Sequence, residues 1–177
     1  MAKILMVVDE LAEDLELYYP YYRLMEEGHE VVMASSVKEK EYKGKYGVPY
    51  ISALSYEEVV LDDYSGLLIP GGWAPDKIRR YEIVLDMVRY FNDKKKPIGQ
   101  ICHAGWVSIS AGIIKGRKVT STPGIKDDMI NAGGIWENVP VVCDQNLVSS
   151  RWPKDLPQYM QEYIAVLNDF LAQDAIN

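Results

Sequence analysis

Strands alternating with helices predict an α/β fold: a central, mostly parallel sheet with helices on both faces. Three observations carry this. Apolar runs at 3–8, 29–35, 64–70 and 97–102 have the length and bounding residues of buried strands. Helix-length amphipathic segments separate most of them. At 177 residues and 48% apolar, the chain has material for one compact core. No repeat, linker or low-complexity stretch divides it, so residues 1–177 are read as a single domain.

The first strand is "KILMVV". "EDLELYYPYYRLMEEG" follows as a helix, acidic in its first turn and stopped by Gly28. Pro20 inside it lacks the N–H that one turn needs and is expected to kink it. "HEVVMAS" is the second strand. Residues 36–57 are polar and Tyr-rich, with a short hairpin around "GKYGVPYIS". "YSGLLIP" is the third major strand, "YEIVLDMVRYFNDKKK" an amphipathic helix and "PIGQIC" the fourth strand. "HAGWVSISAG" is a helix closed by Gly112, and "GIKDDMINAGG" a shorter helix with a Gly stop. "VPVVCDQNLVSS" reads as a hairpin turning at Asp144, Gln145 and Asn146. "DLPQYMQEYIAVLNDFLAQ" is a terminal amphipathic helix.

The net charge of -7 argues against nucleic acid or an anionic membrane surface as partner. No apolar run approaches the ~18 residues of a membrane span. The start, "MAKILMVVDE", acidifies too soon for a signal peptide, so a cytoplasmic location is expected. Two cysteines and two histidines without paired spacing suggest neither a disulfide framework nor a metal site. The 13 Tyr against 2 Phe suit subunit contacts, although ordinary amphipathic helices explain most of them.

Ligands of an open parallel sheet bind beyond the carboxyl ends of its strands. After the first strand come Asp9, Glu10, Glu13, Asp14 and Glu16 where a dinucleotide site needs a Gly-rich loop. These carboxylates would repel phosphate, so no nucleotide cofactor is expected. After the fourth strand comes Cys102, at a strand-to-helix turn. Helix N-terminal dipoles there favour thiolate, and the sharp turn exposes sulfur and aims amides at an oxyanion. After the third strand, Gly71 and Gly72 let backbone approach a ligand and can complete an oxyanion hole. His103 is the imidazole available near Cys102, since His29 falls at the opposite sheet edge and no histidine follows 103. Asp76 and the first-loop carboxylates are candidates to orient it. Glu13 is the carboxyl expected to exchange a proton with the thiol. Asp14 and Glu16 are expected to favour the helix N-terminus and face water. Cys143, at a strand end, is expected to be packed rather than catalytic.

With "EDLELYYPYYRLMEEGHEV", "LLIPGGWAPDKIR", "ICHAGWVSISAGIIKGRKVTS", "PGIKDDMINAGG" and "VSSRWPKDL", the chain resembles the PfpI family of intracellular cysteine hydrolases, within the class I glutamine-amidotransferase-like superfamily. The resemblance covers nearly the whole length. It implies a flavodoxin-like three-layer sandwich with a nucleophile elbow at Cys102, contacted by Glu13. It also implies an oxyanion hole of Gly71 or Gly72 with the His103 N–H. His103 would pair with an acid at the position of Asp76 from a neighbouring subunit, in a dimer or a hexamer of dimers. The chain departs from the family at Asp76 (usually Glu), at Ala104-Gly105 (often Gly-Pro), at Trp73 (commonly Arg) and at Thr122 (commonly aromatic).

The implied activity is a cysteine-dependent hydrolase or lyase on a small carbonyl or peptide substrate, of peptidase or of deglycase/glyoxalase type. A non-enzymatic alternative is a redox-sensing stress protein or holdase that uses Cys102 oxidation.

Overall fold

The computed structural model describes residues 1–176. In chain order the elements are β1 (Lys3–Val7), α1 (Asp14–Glu26), β2 (Glu30–Ser35), β3 (Glu41–Lys43), β4 (Pro49–Ile51), β5 (Leu54–Ser55) and β6 (Gly66–Ile69). They continue with α2 (Ala74–Ile78), α3 (Glu82–Asp93), β7 (Ile98–Ile101), α4 (Gly105–Ala111), β8 (Lys118–Val119), α5 (Lys126–Asn131), β9 (Ile135–Trp136), β10 (Val141–Asp144), β11 (Leu147–Ser150) and α6 (Leu156–Asp174).

Seven strands form the main sheet in the order β10-β11-β7-β6-β1-β2-β5. All pair in parallel except β10 with β11, the antiparallel hairpin read from "VPVVCDQNLVSS". The β6 and β7 side chains are all buried, as a sheet covered on both faces requires. α1 packs against α6, while α3 packs against α4 and α4 against α2 and α5. The result is the expected three-layer flavodoxin-like sandwich. Among the described residues no helix is long and apolar enough to cross a membrane.

α1 runs unbroken from Asp14 to Glu26 with Pro20 buried inside it. α2 and β5 were not legible as elements, being too short to show a period. The second hairpin, β3–β4, lies where "GKYGVPYIS" places it and pairs Tyr42 with Tyr50. Its tip is tied to the start of α1. The Asp14 carboxylate accepts from the N–H groups of Tyr46 (2.8 Å) and Val48 (2.9 Å), and the Lys45 N–H donates to the Ala12 carbonyl at 2.9 Å. Asp14 is therefore buried, not facing water.

The tyrosines have mixed uses. Tyr42, Tyr56, Tyr159 and Tyr163 are fully buried core residues. The Tyr56 hydroxyl donates to the Val8 carbonyl at 2.7 Å, and that of Tyr50 to the Asp9 carbonyl, pinning the loop after β1. His29 sits at the opposite sheet edge, its Nδ1 accepting from the Ala2 N–H. Cys143 departs from expectation: it is exposed, because β10 is an edge strand and this residue points away from the core.

Candidate active site

β1, β6 and β7 are parallel neighbours, so the loops after them meet at one sheet edge. Two of these loops are joined by backbone. Ala12 and Gly72 form an isolated antiparallel bridge, the Glu13 N–H donates to the Gly71 carbonyl at 3.1 Å, and the Trp73 N–H donates to the Leu11 carbonyl at 2.9 Å. Gly72 has φ +78°, and a side chain there would collide with backbone of residues 11–13.

Cys102 follows directly on the end of β7. Its φ is 61°, a left-handed conformation that a non-glycine residue adopts at a cost of about 1–3 kcal/mol. A 3₁₀ turn over Cys102–Ala104 then leads into α4. This is the sharp elbow expected from "PIGQICHAG". It lifts the sulfur out of the sheet and directs the N–H groups of Gly72 and His103 toward it. The Gly71 carbonyl is occupied by Glu13, so Gly72 is the glycine whose amide faces the sulfur.

The carboxyl against the thiol belongs to Glu16, not to Glu13. Glu16 is only 1% exposed and interacts directly with Cys102, although neither carboxyl oxygen completes a hydrogen bond of ordinary geometry. A Cβ built on Gly71 would lie 2.6 Å from Glu16 Oε1 and 2.7 Å from Cys102 Cβ, so both side chains crowd the same space. Glu13 has a different task. It is the N-cap of α1, its Oε2 accepting from the Glu16 N–H at 2.8 Å. The cap thus fixes the backbone of the residue that meets the thiol. A signal for Glu16 was present: it falls on the stripe of Leu17, Pro20 and Leu24, the buried face of α1.

His103 Nδ1 lies 3.2 Å from Cys102 Sγ. The imidazole sits between Trp73 and Trp106, at ring-centroid distances of 5.6 and 5.0 Å. Asp76, on α2, pairs with Arg80 of its own chain at 2.7 Å and makes no hydrogen bond to the His103 of this chain among the described residues.

Electrostatics follow burial. Loss of solvent, then the neighbouring Glu16 charge, push the Cys102 thiol up to about 12, while the Gly72 and His103 amides pull the other way. Burial and the nearby Glu13 raise Glu16 to about 8. Burial also raises Glu13 and, with help from the Lys45 charge, lowers His103 below its usual 6.5. At neutral pH the resting site therefore holds a protonated carboxyl, a thiol and a neutral imidazole.

These groups line a cavity of about 200 Å³. Lys45, Tyr46, Trp73, Thr122 and Trp152 complete its wall. Trp152 arrives through β11, whose Ser150 pairs with Ile101 just before the elbow. Lys45, Tyr46 and Trp152 come from distant segments with no local motif, so sequence reasoning did not find them.

A left-handed cysteine between strand and helix, faced by two amides, an imidazole and a buried carboxyl, defines a nucleophile-elbow protein of the flavodoxin-like class. The chain belongs to the DJ-1/PfpI family, whose model matches residues 2–166. It is 46% identical over 165 residues to Deglycase PfpI of Pyrococcus furiosus, covering 93% of this chain and 99% of that one. It is 36% identical over 167 residues to General stress protein 18 of Bacillus subtilis, covering 93% and 97%. Among solved structures, a two-domain protein from Anabaena variabilis with DJ-1/ThiJ/PfpI-like and ferritin-like domains superimposes with TM-score 0.92 at 30% identity. That match covers 95% of this chain and 48% of the longer protein.

Proposed function

We propose that this protein is a cysteine-dependent enzyme that converts small 2-oxoaldehydes, free or as adducts on amines and thiols, into hydroxy acids. The observation that carries this is the placement of Cys102 Sγ between two backbone amides, a neutral imidazole and a protonated Glu16, in a cavity sized for a small carbonyl compound.

For methylglyoxal, Sγ adds to the aldehyde carbon. Its proton leaves through His103 Nδ1, and the new oxyanion is held by the Gly72 and His103 amides. The resulting hemithioacetal keeps its carbon-bound hydrogen next to a ketone. The Glu16 carboxyl gives its proton to that oxyanion, and the carboxylate then moves the carbon-bound hydrogen from the first carbon to the second while the hydroxyl proton passes from the first oxygen to the second, leaving a thioester of a 2-hydroxy acid. Water cleaves the thioester, returning the thiol and releasing lactate, so methylglyoxal plus water yields one hydroxy acid with no external oxidant. A peptide would need an open groove on both sides of the sulfur; the cavity is small and walled by Trp73, Tyr46 and Trp152, which favours the small substrate. Non-enzymatic redox sensing is supported less, because burial keeps the resting thiol protonated.

The deciding assay compares wild type and Cys102→Ser in methylglyoxal consumption and in cleavage of a fluorogenic peptide. Wild type should consume methylglyoxal and the variant should lose activity by about a thousandfold or more. Equal rates in both assays would sink the enzyme reading.

His103 completes its hydrogen bonding, in this reading, with Asp76 supplied by a second copy in a dimer or larger assembly. The exposure of Asp76 and its lack of contact with its own His103 support that role. Asp76→Ala should lower kcat by about tenfold or more while leaving the assembly intact by size-exclusion chromatography. Unchanged kcat in an intact oligomer would remove Asp76 from the site.

A further inference from the structure

Lys45 is unusual among the lysines of this chain. Its backbone is clamped: the Lys45 N–H is bound by the Ala12 carbonyl, and the N–H groups of Tyr46 and Val48 by the buried Asp14 carboxylate. The hairpin tip is therefore held against the start of α1, and the Lys45 side chain is delivered to the wall of the cavity that holds Cys102. Its ammonium stands 5.4 Å from the ring centroids of both Tyr46 and Trp73. It forms no salt bridge among the described residues, in contrast to Lys38, which pairs with Glu58 at 2.9 Å. Yet its charge is felt inside the site, lowering Glu13, Glu16 and His103 together.

A cation near two aromatic rings at the wall of the Cys102 cavity, with no salt-bridge partner among the described residues, suits an anion on the bound molecule. The cavity is too small for a polyphosphate, and a single ammonium matches a single negative charge. The two glutamates nearby do not occupy it: burial keeps Glu16 protonated at neutral pH, and Glu13 gives its Oε2 to the Glu16 N–H as the cap of α1.

We propose that Lys45 is a specificity-determining residue, binding a carboxylate adjacent to the reacting carbonyl, so that aldehydes bearing a carboxylate are preferred over neutral ones of the same size. This rests on Cys102 as the nucleophile of the proposed function. It extends that reading to the charge of the molecule the site takes. The anionic group lies across Trp73 toward the hairpin tip while the aldehyde carbon faces Sγ.

Glyoxylate and glycolaldehyde test this, being aldehydes of equal size that differ in the carboxylate. Isothermal titration of the full chain should show glyoxylate binding at least about tenfold tighter than glycolaldehyde, with the preference shrinking as salt is raised. Lys45→Met should bring the two affinities within about twofold, and Lys45→Arg should restore the preference. The proposal is overturned if wild type binds neither or shows no preference, or if Lys45→Met keeps the preference. Binding is read without turnover, so the outcomes separate. A glyoxylate preference without methylglyoxal consumption would remove the proposed reaction but not the anion site. Consumption without the preference would remove only Lys45.

Discussion

Glu16→Gln is expected to stabilise the protein, and to do so more at pH 8 than at pH 5. The unfolded chain ionises this carboxyl near 4.5, the folded chain only near 8. Between those values the folded state holds a proton that the unfolded state has lost, so stability falls as pH rises through the window. One pKa unit corresponds to about 1.4 kcal/mol, which sets an upper bound of about 3 kcal/mol at pH 7 and less than about 1 kcal/mol at pH 5. Glutamine cannot ionise and removes this slope. Denaturant unfolding at pH 5, 7 and 8 measures it: parallel curves for wild type and variant would show that Glu16 is not held protonated. The same substitution bears on catalysis. Ionised Glu16 puts a like charge beside the sulfur, so wild-type turnover should decline on the alkaline side near pH 8. Glu16→Gln should lack that limb while losing most of its rate.

Gly72→Ala is expected to cost about 3 kcal/mol or more and to reduce turnover by about a hundredfold or more. Two effects add. A φ of +78° strains any L side chain, and the new Cβ would lie 2.4 Å from the Glu13 nitrogen and 2.5 Å from the Leu11 oxygen. Those are backbone atoms and cannot swing aside. Relief requires the bridge between the loops after β1 and β6 to open, which moves the Gly72 amide away from Cys102. Gly28→Ala provides the comparison: its φ of +82° is similar, but nothing lies within 4 Å of the new Cβ. It should cost only about 1 kcal/mol. Equal losses of stability in the two variants would show that the close approach at Gly72 contributes nothing.

Much of this was legible in one dimension. Short, mostly apolar runs such as "GLLI" and "IGQI", alternating with helix-length segments, mark covered parallel strands, and the abrupt end of the second before Cys102 marks an elbow at the ligand edge. The Gly71-Gly72 pair announced a close backbone approach. Glu16 was misread because acidic residues in a first helical turn usually face water and favour the helix dipole. Its neighbours on the stripe, Leu17, Pro20 and Leu24, contained the opposite signal. Glu13, one turn earlier, carries the same residue type but spends its carboxylate on the cap. Cys143 was misread for a related reason: alternation gives the two faces of a strand, and its membership of an exposed edge depends on pairing order.

The alternation of the main strands and helices, the cysteine at the strand-to-helix elbow and the edge of the sheet where it sits follow from the sequence by itself, since periodicity, glycine placement and the end of an apolar run are local properties. Which carboxyl meets the thiol, which cation overlooks the cavity and which indoles wall it were decided only in the tertiary structure. Those contacts join α1, the β3–β4 tip and the segment after β11, and nothing local in a chain reports how segments separated by tens of residues will be brought within a few ångströms of one sulfur.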